Sequence, residues 1–392
     1  MHLGFGESRL PVFPPLMDRL IAGADRNAYG PVEGGATVRA AAAGYFDRRR
    51  MPTGPEQVVV APGSKPLLMA LNLVVSGDVL LPCPAWNTYE PQAILAGKHV
   101  FGVRIPDECG GVPEPQALRE TVAAARRLGR DPRILILTLP DNPTGTLASP
   151  ALVREICAVA EEENLLVVSD EIYRDVVHDP ATPILSPAEV VPHRTVVTTG
   201  LSKSLALGGW RIGVARFPEG PWGEEIRTGV ISVASEVWST LAGPMQEVAE
   251  YAFREPPPLR AWLRASTRLH GAVARAVHRI VVSAGASCRP PTAAFYVYPD
   301  FEPRREALAE RGVTDSSSLA AHLLDEFGIA VLAGHHLGDV RSALRFKAAT
   351  SMLYGDTAEQ QQTALDAADP VSLPHVRAVL TRIDENFAKL CP

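Results

Sequence analysis

A lysine and an arginine lie just after a predicted strand, where an amine and a guanidinium can do chemistry. Residues 195–199 form a short β-branched run that predicts a buried strand, and this run stops at Gly200. Lys203 follows where the chain leaves the strand's carboxyl end, the edge at which open α/β sheets bind ligands. Its amine can act as a Schiff-base nucleophile, and Arg211 can bind an anion such as a cofactor phosphate. The alternative is a pair of ordinary solvated cations.

Two earlier segments carry residue types that suit a phosphate and an aromatic ring. Gly63, Ser64 and Lys65 follow a predicted strand at residues 58–61 and open a predicted helix. Backbone N–H groups, a hydroxyl, the helix dipole and a cation together favour a phosphate there, although a plain capped helix start remains the alternative. Trp86 lies in a proline-rich loop after the next strand, so it is either a core residue or a platform for an aromatic ligand.

Polar residues follow three successive predicted strands. Asn142 comes after an apolar strand at 133–139, Asp170 and Tyr173 after one at 165–169, and Lys203 after the third. Parallel strands end at one edge of a sheet, so we expect these side chains to meet in a single site. An aspartate at the end of a buried strand is costly unless it meets a cation.

The elements that must position these residues form two predicted domains. The chain has 392 residues, and strand and helix alternate between about residues 58 and 213, a pattern typical of a parallel sheet with helical crossovers. Residues 251–392 contain several helices and short strands near 290–297, 329–332 and 344–348, which predicts a smaller α+β unit. We place the large domain at 30–250, and the small one at 1–29 with 251–392. Thr37 is expected to cap a helix.

Composition excludes some classes of function. The net charge of −6 disfavours a nucleic-acid partner, and no apolar run is long enough to cross a membrane. No signal segment is apparent at the start, so we predict a cytoplasmic location. No cysteines have metal-ligand spacing, so we predict structural thiols and no metal site. The cysteines are Cys83, Cys109, Cys157, Cys288 and Cys391.

Taken together and in order, these segments resemble the class I/II aminotransferase family of fold-type I, pyridoxal-phosphate-dependent enzymes. The resemblance covers nearly the whole chain, and the set of motifs is more specific than any one of them. The matching residues are Tyr29 with Gly34, Pro62-Gly63-Ser64-Lys65, Trp86 with Tyr89, Asn142-Pro143-Thr144-Gly145, Asp170-Glu171-Ile172-Tyr173, Ser202-Lys203 with Arg211, and Arg345.

The resemblance implies roles at the cofactor ring. Lys203 would hold pyridoxal 5′-phosphate as an internal aldimine and then act as the base at the substrate Cα. Asp170 would pair with the pyridine nitrogen. Asn142 and Tyr173 would bond the phenolic oxygen, and Trp86 would stack on the ring. Lys203, Asp170 and Tyr173 are therefore the expected catalytic residues.

The resemblance also implies how the phosphate and the substrate are bound. The phosphate would contact Gly63, Ser64, Lys65, Ser202 and Arg211. Tyr29 would reach the phosphate of a neighbouring subunit, which implies a homodimer with shared sites. Arg345 would bind the substrate α-carboxylate through two parallel hydrogen bonds, and Gly6 and Asn142 would also contact the substrate.

Several positions depart from the family pattern. An N-terminal arm that usually helps to close the site is missing, Gly200 replaces a hydroxyl, and residues 354–374 form an apparent insertion. Lys347 should share a strand face with Arg345, so it either adds positive charge for a second acidic group or forms an ion pair elsewhere. His335 and His336 either line the substrate pocket or lie in a solvent-facing loop.

The expected activity is transamination, an exchange of amino and oxo groups between an α-amino acid and an oxo acid. The alternative is another reaction on the same scaffold, such as elimination, decarboxylation, racemisation or oxygen-dependent oxidation, since the cofactor motifs are common to all of them. A cofactor-binding regulatory module is a third alternative, which the reactive lysine disfavours.

Overall fold

The computed structural model of the chain describes residues 1–390. Ten strands form two separate sheets within this part. Seven belong to the large sheet, and most of their residues are buried. The strands are β1 (Val58–Ala61), β2 (Asp78–Cys83), β3 (Val100–Arg104), β4 (Pro132–Thr138), β5 (Leu166–Asp170), β6 (Thr195–Gly200), β7 (Gly213–Arg216), β8 (Tyr296–Val297), β9 (Leu332–Ala333) and β10 (Phe346–Ala349).

Fifteen α-helices surround the sheets in the described part of the chain. Several begin at a proline, which is tolerated in a first turn because the N–H group that it lacks has no partner there. The helices are α1 (Pro14–Ala22), α2 (Ala36–Asp47), α3 (Ser64–Val74), α4 (Tyr89–Leu95), α5 (Pro115–Arg127), α6 (Pro150–Glu162), α7 (Pro187–Val190), α8 (Leu201–Ser204), α9 (Pro221–Val237), α10 (Gly243–Arg254), α11 (Pro257–Ser283), α12 (Arg305–Ala309), α13 (Ser316–Phe327), α14 (Ala358–Asp366) and α15 (Pro374–Leu390).

The large sheet has the strand order β1-β7-β6-β5-β4-β2-β3. Strands β3, β2, β4, β5 and β6 run parallel to one another, whereas β7 runs antiparallel to both β6 and β1. This agrees with the predicted, mostly parallel sheet. Apolar residues such as Val167 and Val196 are fully buried along the central strands, so polar groups collect where those strands end.

The small sheet has the order β8-β10-β9, and both of its strand pairs are antiparallel. Its strands are shorter than predicted. β10 begins at Phe346, and Arg345 lies outside it in an isolated bridge with Asp300. The capping prediction for Thr37 is wrong, because helix α2 begins after Gly35 and no side chain caps it.

One buried apolar cluster contains residues from both predicted domains. It includes Phe46 and Val60 near the large sheet, and Phe346 and Phe387 near the small one. The domain boundaries at residues 30 and 250 stay predictions, because the apolar core does not stop at either position.

The apparent insertion at 354–374 packs on helix α11. It contains α14, and the hydroxyl of its buried Tyr354 lies 2.5 Å from Nδ1 of buried His270. A buried hydroxyl that pairs with a buried ring nitrogen is typical of a structural contact. The segment therefore extends the small unit's core.

Two further sequence predictions concern thiols and membranes. The cysteines among residues 1–390 are free, namely Cys83, Cys109, Cys157 and Cys288, and the prediction for Cys391 lies outside the described residues. Within the same part of the chain, no helix combines the length and the apolar character that a bilayer crossing requires.

Candidate active site

A cavity of about 580 Å³ opens at the carboxyl ends of β4, β5 and β6. Parallel pairing aligns these strands, so the residues that follow them converge as predicted. Of the thirteen predicted site residues, the structure brings ten to the cavity wall. They are Gly6, Ser64, Lys65, Trp86, Asn142, Asp170, Tyr173, Ser202, Lys203 and Arg211.

Lys203 lies on the single-turn helix α8, directly after β6. Its side chain is partly buried, and Nζ donates a hydrogen bond to the backbone oxygen of Gly6 at 2.5 Å. Burial lowers its pKa to about 8, with the charge of Glu7 opposing this shift and the positive charges of Arg211 and Lys65 contributing to it. A larger fraction of this amine is therefore neutral near pH 7 than for a solvated lysine.

Asp170 is the last residue of β5 and is 1% exposed. Its Oδ2 accepts a hydrogen bond from the Tyr89 hydroxyl at 2.8 Å, and its Oδ1 accepts one from the Ile172 N–H at 3.3 Å. Both donors are neutral, so among residues 1–390 this carboxyl is buried without a paired cation. Burial raises its pKa to about 6, and the bond from Tyr89 opposes that rise.

Asn142 and Tyr173 lie beside Asp170 at the same edge. Asn142 is 5% exposed, and its buried Oδ1 has no hydrogen-bond partner within residues 1–390. The Tyr173 hydroxyl lies 2.6 Å from the Tyr296 hydroxyl. A hydroxyl donates one hydrogen and accepts up to two, so this pair keeps capacity for a further polar group. Tyr296, which also lines the cavity, was not identified from the sequence.

A glycine and an arginine pack closely at the N-terminus of helix α3. Gly63 has φ +92°, and a Cβ there would lie 2.2 Å from an Arg211 guanidinium nitrogen. Arg211 Nη1 donates to the Gly208 carbonyl at 2.8 Å and lies 3.4 Å from Ser202 Oγ. Ser64 is the first residue of the helix. Free N–H groups, hydroxyls and a guanidinium at one helix start can hold an anion.

Two aromatic rings form part of the cavity wall. The Trp86 and Tyr89 rings meet edge to face, with centroids 5.3 Å apart, and Lys65 Nζ lies 5.0 Å from the Trp86 ring centroid. Trp86 lines the cavity, which fits the platform interpretation better than that of a core residue. Tyr89 was matched to the family pattern beside Trp86, but its bond to Asp170 was not predicted from the sequence.

The structure does not bring Arg345 into the cavity, contrary to its expected position. Its Nε donates to Asp300 Oδ2 at 2.8 Å, and its Nη1 lies 3.2 Å from Asp339 Oδ1. Two carboxylates thus hold the guanidinium outside the residues that line the cavity. The physical reason is non-local ion pairing, which strand alternation alone does not reveal.

Lys347 lines the cavity instead, and it is 4% exposed. Its Nζ makes no ion pair or hydrogen bond with a protein group among residues 1–390 and lies 5.2 Å from the Tyr296 ring centroid. The alternative of an ion pair elsewhere in the small unit is therefore wrong. Burial lowers the pKa of Lys347 to about 8, and the charge of Lys203 contributes.

Two other predicted contacts lie away from this cavity. Tyr29 is 91% exposed and does not reach the cavity of its own chain. His335 and His336 stack on each other with ring centroids 4.0 Å apart, and Nδ1 of His335 lies 2.9 Å from the Ser316 hydroxyl. Neither histidine lines the cavity, so the hypothesis that they form part of the substrate pocket is wrong.

Solved structures of similar fold cover almost the whole chain. Aspartate aminotransferase of Thermus thermophilus with maleate aligns with a TM-score of 0.80 at 24% identity, covering 99% of this chain and 91% of that one. An aromatic aminotransferase from Pyrococcus horikoshii aligns with a TM-score of 0.79 at 23% identity, covering 97% and 95%. These alignments confirm the predicted fold type I architecture.

Curated relatives are similar in sequence over most of the chain. An aspartate/prephenate aminotransferase of Thermus thermophilus is 28% identical over 322 residues, covering 79% of this chain and 76% of the relative. An LL-diaminopimelate aminotransferase of Gloeobacter violaceus is 29% identical over 356 residues, covering 86% and 83%. The family model described as "Aminotransferase class I and II" matches residues 1–354. The chain belongs to the class I and II aminotransferase family.

Proposed function

We propose that this protein moves the amino group of an α-amino acid to a 2-oxo acid with pyridoxal 5′-phosphate at the cavity described above. The chain is an aminotransferase, as its family and its named relatives are. One observation carries the assignment to this cavity. An amine with a lowered pKa, Lys203, and a buried carboxyl without a cation, Asp170, line the same cavity at one sheet edge.

The residues present fit the cofactor. Asp170 has no paired cation among residues 1–390, and a protonated pyridine nitrogen would supply one. Asn142 Oδ1 has no hydrogen-bond partner in the same part of the chain. The N-terminus of α3, with Arg211 packed against Gly63, has the donors that a phosphate needs. When bound, pyridoxal phosphate supplies an aldehyde that takes up amines and a ring that accepts electrons.

The chain's own residues then bind, orient and move protons. Lys203 Nζ removes the proton from the substrate Cα and returns it, which its lowered pKa favours near neutral pH. Ionised Asp170, oriented by the Tyr89 hydroxyl, keeps the pyridine nitrogen protonated. Asn142 and Tyr173 would hold the phenolic oxygen, and Trp86 would stack on the ring. Gly6 and Asn142, which line the same cavity, are proposed to contact the substrate.

Ser64, Lys65, Ser202 and Arg211 are proposed to bind the phosphate together with the backbone at Gly63. The hydroxyls and the guanidinium face the same helix start. Since charge-assisted bonds of this kind are among the strongest in proteins, they would anchor the cofactor at its phosphate end.

We also propose a homodimer in which Tyr29 reaches the partner's phosphate site. Tyr29 lies in a segment held by a 2.8 Å hydrogen bond from the Thr240 hydroxyl to the Pro31 carbonyl. Val237, the last residue of α9, is 68% exposed, so an apolar side chain is left uncovered three residues before Thr240. Uncovered apolar surface of this kind favours a subunit contact.

The free cysteines of the described chain support a cytoplasmic location.

The half-reaction tests the function directly. Purified holoenzyme is mixed with single amino acids, without an oxo acid, while the cofactor absorbance and the products are followed. We expect one equivalent of oxo acid and of pyridoxamine phosphate per site. The named relatives are aminotransferases, which does not favour elimination, decarboxylation, racemisation or oxidation. Repeated turnover without an acceptor, or oxygen uptake, would contradict the proposal.

A further inference from the structure

A second cavity, of about 380 Å³, opens at the edge of the large sheet opposite the candidate active site. Its wall contains residues at or just before the start of β4, β5 and β6, together with the end of α3 and the first turns of α9. The two cavities have no lining residue in common. A volume of this size lies within the range of roughly 300–1,000 Å³ that is typical of small-molecule sites.

Part of this second cavity is apolar. Leu166 and Ile226 are buried in its wall, and Val74 is half-buried beside them. Trp222 also lines the cavity and is 42% exposed. A partly uncovered indole ring next to apolar side chains can pack against the apolar body of a ligand.

Two of the titratable side chains at this cavity already have partners. Arg133 Nε lies 2.9 Å from Asp131 Oδ1, and His193 Nε2 lies 3.0 Å from Glu161 Oε1. These contacts leave little charge on either group for a ligand to neutralise.

Arg194 and Glu225 line the same cavity without a charged partner. Within residues 1–390, no carboxylate oxygen lies within 4.0 Å of the Arg194 guanidinium, whose Nη1 donates to the Leu165 carbonyl at 3.0 Å. Its buried Nε has no hydrogen-bond partner in that part of the chain. The Glu225 carboxylate likewise makes no ion pair or hydrogen bond there. The cavity thus has one unpaired cation and one unpaired anion that are too far apart to neutralise each other.

We propose that this second cavity binds a small zwitterion with an apolar body, namely a free α-amino acid with an apolar side chain. Its carboxylate pairs with Arg194, its ammonium pairs with Glu225, and its side chain packs against Trp222. A ligand with a single charge leaves one of the two protein groups unpaired, so a ligand that carries both charges is favoured. This binding site is separate from the reaction site and does not depend on the proposed function.

Titration calorimetry tests the proposal on holoenzyme that has first been treated with aminooxyacetate. This compound condenses with the cofactor aldehyde, so an added amino acid cannot occupy the active-site cavity. The probes are L-phenylalanine and L-leucine, which carry both charges, and 3-phenylpropionate and 2-phenylethylamine, which carry one each. We expect the amino acids to bind with one equivalent per chain, and the singly charged probes to bind roughly tenfold more weakly, since each lacks one charge-assisted bond.

Variants of the lining residues assign the binding to this cavity. Arg194→Met and Glu225→Gln should each weaken L-phenylalanine binding roughly tenfold, and Trp222→Ala should weaken it as well. Arg227→Met and Glu224→Gln are the matched controls, because both residues lie on α9 and neither lines the cavity. Both controls should bind L-phenylalanine as the wild type does.

Arg194→Met also loses the bond to the Leu165 carbonyl, so thermal unfolding is used to check that this variant folds. Glu225→Gln breaks no side-chain contact of the described residues and decides the question if Arg194→Met does not fold. The proposal is overturned if neither amino acid binds to the treated wild-type holoenzyme. Equal affinity of the wild type and Glu225→Gln for L-phenylalanine would overturn it as well.

Discussion

One carboxyl and two amines at the cavity have pKa values far from their ordinary ranges. Burial raises the pKa of Asp170 to about 6 and lowers those of Lys203 and Lys347 to about 8. In each case burial disfavours the charged form. The proposed ligand of Asp170, a protonated ring nitrogen, carries the charge that would offset this cost for that carboxyl.

Tyr89→Phe tests the bond that keeps Asp170 ionised. The Tyr89 hydroxyl lowers the pKa of Asp170, so its loss should raise that pKa further above about 6. We expect the apoenzyme's affinity for pyridoxal phosphate to fall off at a pH about one unit higher than in the wild type. Fluorescence titration of cofactor binding between pH 5 and 8 measures this.

Tyr298→Phe is the matched control, since it removes a tyrosine–aspartate bond of the same length outside the cavity. Its cofactor-binding profile should match that of the wild type. An unchanged profile in Tyr89→Phe would show that Asp170 does not depend on this hydroxyl.

Lys347→Met should stabilise the apoenzyme near neutral pH. Burial lowers the pKa of Lys347 to about 8 in the folded protein, so the unfolded chain binds more protons. The resulting loss of folding stability in the wild type is complete below pH 8. It disappears as the pH rises toward the ordinary lysine range. One pKa unit is roughly 1.4 kcal/mol, so we expect a gain of about 2–3 kcal/mol at pH 7 that shrinks by pH 10. Urea unfolding at the two pH values measures it.

Lys389→Met is the control for this measurement, because Lys389 is exposed on α15. It should change the free energy of unfolding little at either pH. Equal stability of Lys347→Met and the wild type at pH 7 would mean that the buried amine has a counter-ion in solution.

At the scale of elements, the cavity is assembled where β7 and helix α3 meet. A Cβ on Gly213, the first residue of β7, would lie 2.3 Å from the carbonyl carbon of Gly63 and 2.5 Å from the backbone nitrogen of Ser64. The strand can approach the start of the helix this closely only without a side chain. This contact places the phosphate donors of α3 beside Arg211.

Gly213→Ala should therefore separate β7 from the N-terminus of α3. We expect a loss of about 1–3 kcal/mol of stability and a weaker affinity for pyridoxal phosphate, because backbone atoms have to move. Gly209→Ala is the control, since no heavy atom lies within 4 Å of its added Cβ. Thermal unfolding of the apoenzymes and cofactor titration give both quantities. Equal behaviour of the two variants would contradict the close-contact argument.

At the scale of the whole molecule, each site is proposed to need two chains. Tyr29 is 91% exposed and is not among the residues that line the cavity of its own chain. In a two-fold dimer, a residue of each chain that reaches across the interface contributes to the site of the other chain. Inactivating changes on different chains can then complement each other.

Mixing two inactive variants tests this arrangement. Tyr29→Ala keeps Lys203, and Lys203→Ala keeps Tyr29, so a mixed dimer has one complete site. We expect about one quarter of wild-type activity after random subunit exchange at limiting cofactor, because about half of the dimers are mixed. Each variant mixed with wild type controls for exchange. No recovery, or a monomer in sedimentation, would contradict the shared site.

The sequence alone predicted most of the fold and the cofactor side of the cavity, for a local physical reason. Apolar β-branched runs determine the buried strands, strand–helix alternation makes them parallel, and parallel strands end at one edge. Asn142, Asp170 and Lys203 each follow such a run directly, so their meeting at the cavity could be inferred from positions along the chain.

Only the tertiary structure decided the substrate side. Strand alternation predicts one face for Arg345 and Lys347, and that pattern does not distinguish which of them enters the cavity. Asp300 is 45 residues from Arg345 along the chain, and it joins Asp339 in holding the guanidinium away while Lys347 stays buried without a partner. Ion pairs depend on distances in space, so they become visible only when the strands and loops that carry the charges are packed together.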